Sequence, residues 1–176
     1  NKYSLGKTTQ GICNFINDLK IKEPKVIIGY DSRKNGKYLC DVVSDIFNAN
    51  NIRTYVFDEI KPTPIVSFGV RNLSCICGIV ISASHNPPEY NGIKIFNKDG
   101  KKITKSFENK IQRLIEESNH NISITKDIPL KTNKELMDIY IKSLIQTMDG
   151  ENLSGLKIIL DTCYGSATVS YTHLRA

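Results

Sequence analysis

At 176 residues the chain has room for one full domain, or for one domain and part of another. Its 40% apolar and 24% charged residues are those of a globular protein; no apolar stretch approaches the length of a membrane span, and no secretory h-region opens the chain. The net charge of +6 is spread over scattered lysines without arginine clusters or aromatic interleaving, which excludes a nucleic-acid signature and biases the surface toward anionic substrates.

Leu5, Ile12, Phe15, Ile16 and Leu19 predict a first helix that ends before Pro24. Val26 to Tyr30 reads as a short buried strand, with Asp31-Ser32-Arg33 at its carboxyl end. Leu39, Val42, Val43, Ile46 and Phe47 have the spacing of an amphipathic helix that Asn48 to Asn51 terminate. Thr54 to Phe57 is a second strand. Pro64 suits the first turn of a short helix reaching about Leu73. Cys77 to Ala83 is a third strand, apolar throughout and therefore expected to be central, and Ile93 to Phe96 is a fourth. Phe107, Ile111, Leu114 and Ile115 mark another helix. Asn119 to Leu130 reads as a loop with a short strand at Ile122 to Thr125.

Thr132 to Glu135 is a capping box for a helix through Leu136, Ile139, Tyr140 and Leu144. Glu151 to Gly155 is a linker, and Leu156 to Leu160 a fresh buried strand. Strands alternating with helices predict an α/β fold, a three-layer α/β/α domain with a mixed sheet, followed by the beginning of a second similar domain. The expected division is residues 1–130 and residues 131–176. The five cysteines form no C-x-x-C pair, so neither a disulfide framework nor a zinc knuckle is expected. Cys75 and Cys77 are expected on one face of a strand, as buried thiols in a reducing cytosol.

The chemistry concentrates between Ile81 and Asn97. Ser84 follows a central strand, where α/β folds place ligand sites. His85 and Asn86 supply polar groups beside it, and Pro87-Pro88 restrict the backbone. A plain strand-to-loop turn fits the same spacing equally well. The G-x-S-x-G elbow is absent, and Ser84-His85 is no catalytic pair, because adjacent side chains usually point apart. Asn91-Gly92 favours a tight turn that brings Lys94 back toward Ser84, where a lysine could stabilise phosphoryl charge or move a proton. An exposed edge-strand lysine is the competing account. Arg33 stands on the same sheet edge if the strands are parallel, and could grip a phosphate or pair with Asp31. Gly6-Lys7-Thr8 is not a P-loop, since Asn1 stands where its first glycine should and no strand precedes it. The N-x-S sequons at Asn72, Asn121 and Asn152 are chance matches in a chain without secretion signals.

Ser82-Ala83-Ser84-His85-Asn86-Pro87-Pro88-Glu89-Tyr90-Asn91-Gly92-Ile93-Lys94 closely resembles the phosphoserine signature of the α-D-phosphohexomutases. Val26 to Arg33, Lys61 to Pro64 and Leu153 to Ala167 are similar to that family's first-domain strand, its proline-bearing loop and the opening strand of its second domain. The resemblance implies that Ser84 carries a phosphoryl group, donates it to a sugar monophosphate and regains the other phosphate of the bisphosphate formed. It implies Mg²⁺ on a phosphoserine oxygen of Ser84, a hexose 1,6-bisphosphate activator, Lys94 as general acid/base with His85 beside it, and Arg33 and Asn86 as phosphate or substrate contacts. Sugar phosphates would be the ligands, with no nucleic acid or membrane partner, in the cytoplasm.

The family's opening strand and arginine loop, its metal loop, sugar-recognition loop and C-terminal phosphate domain have no counterpart here. The chain is therefore expected to be an inactive fragment with a non-native tail at Val169 to Ala176. Asn1 is no natural start, so a leader ahead of it stays open. Thr8 to Gly11 and Tyr55 to Pro64 resemble the phosphoglucomutase/phosphomannomutase branch, which is favoured. Ser154 to Lys157 and Ile93 to Phe96 lean toward phosphoglucosamine mutases, the alternative. A non-catalytic sugar-phosphate-binding domain is a second alternative.

Overall fold

A computed structural model of the chain describes residues 1–117, 122, 124–125, 130–131, 134–152, 154–163 and 165–166. The elements follow in the order α1 (Lys2–Asp18), β1 (Lys25–Tyr30), α2 (Gly36–Ala49), β2 (Arg53–Val56), α3 (Thr63–Asn72), β3 (Cys77–Ile81), β4 (Ile93–Phe96), α4 (Lys105–Glu117), β5 (Leu130–Lys131) and α5 (Lys134–Gln146). Local chemistry accounts for the helix starts. The Asn1 side chain accepts from the Tyr3 and Ser4 amides, and the Ser4 hydroxyl in turn accepts from the Asn1 backbone nitrogen, closing a capping box on α1. Asn35 opens α2 at φ 63°, a left-handed conformation that asparagine tolerates. Pro64 sits in the first turn of α3, where its missing N–H costs nothing.

The strands form one mixed five-stranded sheet in the order β4-β3-β1-β2-β5. β1 pairs in parallel with β2 and with β3, and β4 returns antiparallel to β3. β3 is therefore internal, but the centre of the sheet is β1. The alternation along β1 separates two cores. Val26 and Ile28 face a cluster with Ile12 and Ile16 of α1, Val43, Ile46 and Phe47 of α2, and Ile111 of α4. Ile27 faces Ile65, Val66 and Val70 of α3 with Leu136 and Met137 of α5. This is the three-layer α/β/α arrangement expected from the sequence. No helix among the described residues is long and apolar enough to cross a membrane.

Glycines let α3 lie close on the sheet. A Cβ on Gly78 would come within 2.5 Å of Val70 Cγ2, and one on Gly29 within 2.5 Å of Val66 Cγ2. Gly78→Val is therefore expected to destabilise the protein by about 1–3 kcal/mol through overpacking, read as a lower urea midpoint with an unchanged slope.

Several expectations need correcting. β3 stops at Ile81, and Ser82 and Ala83 already belong to the loop. Cys75 and Cys77 are both buried but serve opposite cores, because the strand starts only at Cys77 and Cys75 still belongs to the turn after α3, its amide bonded to the Val70 carbonyl at 2.8 Å. β5, unforeseen in the sequence, pairs in parallel with β2. Helix α5 docks through Leu136, Met137, Tyr140 and Ile141, while Ile139 and Leu144 are 43% and 44% exposed. Leu156 to Leu160 is no strand: it pairs with nothing among the described residues, and Ile159 is 99% exposed. A strand takes its hydrogen bonds from a neighbour, and the described residues supply none. The Thr132-Asn133 half of the capping box, most of the loop from Asn119 to Leu130 and the tail from Ala167 lie outside the described residues.

Candidate active site

The parallel pairing of β1 with β3 brings their carboxyl ends to one edge of the sheet, so the segments after Tyr30 and after Ile81 are neighbours. The Asp31 amide donates to the Ile81 carbonyl at 3.3 Å and extends the ladder by one bond. Beyond it the Ser84 loop leaves the sheet and returns through Asn91-Gly92 into β4, with the Ser82 amide bonded to the Gly92 carbonyl at 3.0 Å. β4 does return antiparallel to β3 and sets Lys94 opposite Val80, but the tight turn expected at Asn91-Gly92 is absent: neither residue has a positive φ, and a loop over residues 82–92, with turns at Ser84-His85 and Pro88-Glu89, makes the connection.

Ser84 is exposed and holds φ 57°, in the left-handed region that costs a non-glycine residue about 1–3 kcal/mol. Its amide donates to the buried Ser82 hydroxyl at 3.1 Å. The Asn86 amide donates to the Ala83 carbonyl, and the Tyr90 amide to the Pro87 carbonyl. His85 and Asn86 are exposed beside Ser84.

Arg33 reaches across from the end of β1. Its Nη2 donates to the carbonyls of Ser84 at 2.6 Å and Asn86 at 2.7 Å. Its Nη1 donates to the carbonyls of Pro87 at 2.8 Å and Tyr90 at 3.1 Å. Nε lies 3.5 Å from Asp31 Oδ2, and the Arg33 side chain is only 12% exposed. The ion pair with Asp31, one of the two readings of Arg33, is therefore present. The guanidinium is turned toward the loop backbone.

Lys94 stands opposite Val80 on β3, two residues before Ser82. Val80 faces the α3 core, so Lys94 shares that side of the sheet while Ile93 and Ile95 pack on the other. β4 is the edge strand, as the competing account held, but Lys94 is half-buried rather than exposed. Its ammonium makes no hydrogen bond or ion pair among the described residues.

Three residues hold the site in ways the sequence reading did not assign to them. Ser82 supplies the hydroxyl that caps the Ser84 amide. Asn91 donates from its side chain to the Lys34 carbonyl, tying the hairpin to the β1 turn. Lys61 is buried at the same edge, its amide bonded to the Tyr30 carbonyl and its ammonium paired with Glu59. For Lys61 the available signal was its place in the Lys61 to Pro64 loop, ahead of α3. An open groove of about 520 Å³ beside Arg33 is lined by Asp31, Arg33, Asn35, Lys37, Tyr38 and Asp41 among others.

The buried cysteines are poor alternatives as nucleophiles. Burial pushes the Cys40 and Cys75 thiols up to about 12, and those of Cys13 and Cys77 further still. Among the described residues no group of three or more His, Cys, Asp or Glu side chains could hold a metal ion. These residues alone therefore do not build a Mg²⁺ cage.

Residues 1–121 match the family description "Phosphoglucomutase/phosphomannomutase, alpha/beta/alpha domain I". A phosphoglucosamine mutase of Prochlorococcus marinus (strain AS9601) is 57% identical over 167 residues, which is 94% of this chain and 34% of that protein. A phosphoglucomutase of Staphylococcus aureus (strain MRSA252) is 31% identical over 176 residues, covering 95% of this chain and 31% of its own length. The open form of the Paramecium phosphoprotein pp63/parafusin, a phosphoglucomutase, superposes with a TM-score of 0.71 at 18% identity, over 98% of this chain and 37% of that one. This last likeness speaks to the fold alone. The chain spans about a third of the length of the curated relatives it matches.

Proposed function

Because the chain belongs to the phosphoglucomutase/phosphomannomutase family, we propose that it is part of a phosphohexomutase that interconverts hexosamine 1-phosphate and hexosamine 6-phosphate. The observation that carries the reaction is Ser84: an exposed hydroxyl on a strained, heavily hydrogen-bonded turn at the carboxyl edge of the sheet. In the proposed cycle phosphorylated Ser84 gives its phosphoryl group to a sugar monophosphate hydroxyl. The resulting bisphosphate turns over and returns its other phosphoryl group to the Ser84 oxygen. The chain's contribution is positioning and charge stabilisation. Lys94, half-buried and without a partner among the described residues, is assigned the proton exchanged with the sugar hydroxyl. His85 and Asn86 are assigned to the substrate side of the loop, where both are exposed.

Mg²⁺ is the ion we assign to a phosphoserine oxygen, where it would neutralise charge. The carboxylates to hold it are not a cluster of the described residues. A hexose bisphosphate is the activator in this scheme, the cytoplasm its location, and residues 131–176 the passage into a second domain.

The sugar is assigned from similarity. The glucose and mannose branch, favoured by Thr8 to Gly11 and Tyr55 to Pro64, gives way to hexosamine because relatives named phosphoglucosamine mutase are more similar to this chain than relatives named phosphoglucomutase. The test is the protein that carries this chain, purified and supplied with Mg²⁺ and bisphosphate. We expect its kcat/KM for glucosamine phosphate to exceed that for glucose 1-phosphate by at least about tenfold. Equal or reversed preference would return the assignment to glucose or mannose phosphate, and no turnover of any of them would favour a sugar-phosphate-binding domain.

A further inference from the structure

We propose that Arg33 is the positioning residue of the serine loop: its guanidinium holds the backbone of residues 84–90 so that Ser84 keeps its left-handed turn and presents its hydroxyl outward. The catalytic consequence rests on the mutase reading above, whereas the structural one does not.

The argument begins with donors. A guanidinium has five N–H groups in a fixed planar fork. Four are placed on carbonyl oxygens of Ser84, Asn86, Pro87 and Tyr90, between 2.6 and 3.1 Å, and the fifth faces Asp31. This arrangement leaves no N–H for a substrate phosphate. The loop folds its carbonyls toward one point, where four partial negative charges would repel each other without a cation among them. Only two amides of the loop, those of Asn86 and Tyr90, bond to carbonyls within it, which is too little to fix a turn that includes a left-handed serine. Arg33 is itself anchored. Its own amide donates to Asp31 Oδ1 at 3.1 Å, and the Asp31 amide bonds to the Ile81 carbonyl. The end of β3 thus fixes Asp31, Asp31 fixes Arg33, and Arg33 fixes the loop that β3 leads into. A lysine could supply the charge but not the planar fork.

The test uses Arg33→Lys and Arg33→Gly in the protein that carries this chain. Hydrogen exchange over residues 83–91 is expected to quicken at least about tenfold in both variants, with β1 and β3 unchanged, because loops open locally when their bonds are removed. The rate at which a hexose bisphosphate phosphorylates Ser84 is expected to fall about 10²-fold, the cost of a reacting group held slightly out of place. KM for the sugar monophosphate should move less than about threefold. Added guanidinium ion should restore part of the phosphorylation rate to Arg33→Gly and none to Arg33→Lys. Unchanged loop exchange in both variants overturns the proposal. So does a raised KM with Ser84 phosphorylated at the ordinary rate, which would make Arg33 a phosphate grip. A loosened loop in a protein whose native Ser84 accepts no phosphoryl group would uphold the clamp and sink the mutase reading.

Discussion

Ser84→Ala is expected to abolish phosphoryl acceptance by the protein that carries this chain and to lower its turnover on the order of 10⁴- to 10⁶-fold, the scale on which enzymes lose rate with their covalent nucleophile. The substitution isolates the hydroxyl. Alanine has the same aversion to a positive φ as serine, so the strain at φ 57° is retained, and the Arg33 bond to residue 84 goes to its carbonyl rather than its side chain. Ser82 is the internal control. Its hydroxyl is buried and already accepts the Ser84 amide, so Ser82→Ala should loosen the turn yet leave phosphate on Ser84. Incubation with a hexose bisphosphate followed by mass-spectrometric mapping decides the matter. Phosphate found on Ser82 with Ser84 bare would end the assignment.

Lys94→Met carries the second largest expected effect, a loss of about 10²–10⁴-fold in kcat, the usual worth of a positioned general acid/base. Methionine keeps the length and apolar stem of lysine, and Lys94 sits at the sheet edge opposite Val80, so the fold should survive with little change in its urea midpoint. Lys94→Arg keeps the charge but cannot give up a proton near neutral pH, and should be nearly as slow if proton transfer is the role. If Lys94→Arg runs at the native rate, the residue supplies charge alone. If Lys94→Met loses less than about threefold, Lys94 is only an edge-strand lysine.

The sequence was most readable where one element's physics is local. Leu39, Val43, Ile46 and Phe47 put their own face of α2 into the core, and β4 begins and ends where its apolar run does. The serine loop could be located because a strand end, two prolines and an Asn-Gly pair are neighbours in the chain. Its internal wiring could not. The four bonds from Arg33 join residues 51 to 57 positions apart, and no periodicity connects them. Arg33 was read as a phosphate grip or an ion pair because an arginine's usual acceptors are charged, and backbone carbonyls leave no trace in a sequence. Leu156 to Leu160 misled for the opposite reason. Its composition is that of a buried strand, but composition supplies no neighbour to pair with, and among the described residues the segment lies open. β5 escaped notice because a two-residue strand has no pattern to read.

Every bond from Arg33 to the loop ends on a main-chain oxygen, so the clamp is indifferent to which side chains the loop carries. Shape and chemical content are thereby uncoupled. His85, Asn86, Glu89 and Tyr90 all point their side chains into solvent from a backbone that others hold, and each can be exchanged without a matching change at Arg33. A saturation library at these four positions would sample recognition and rate almost free of folding defects. The same library at Arg33, Asp31 or Ser82 would sample mostly misshapen loops.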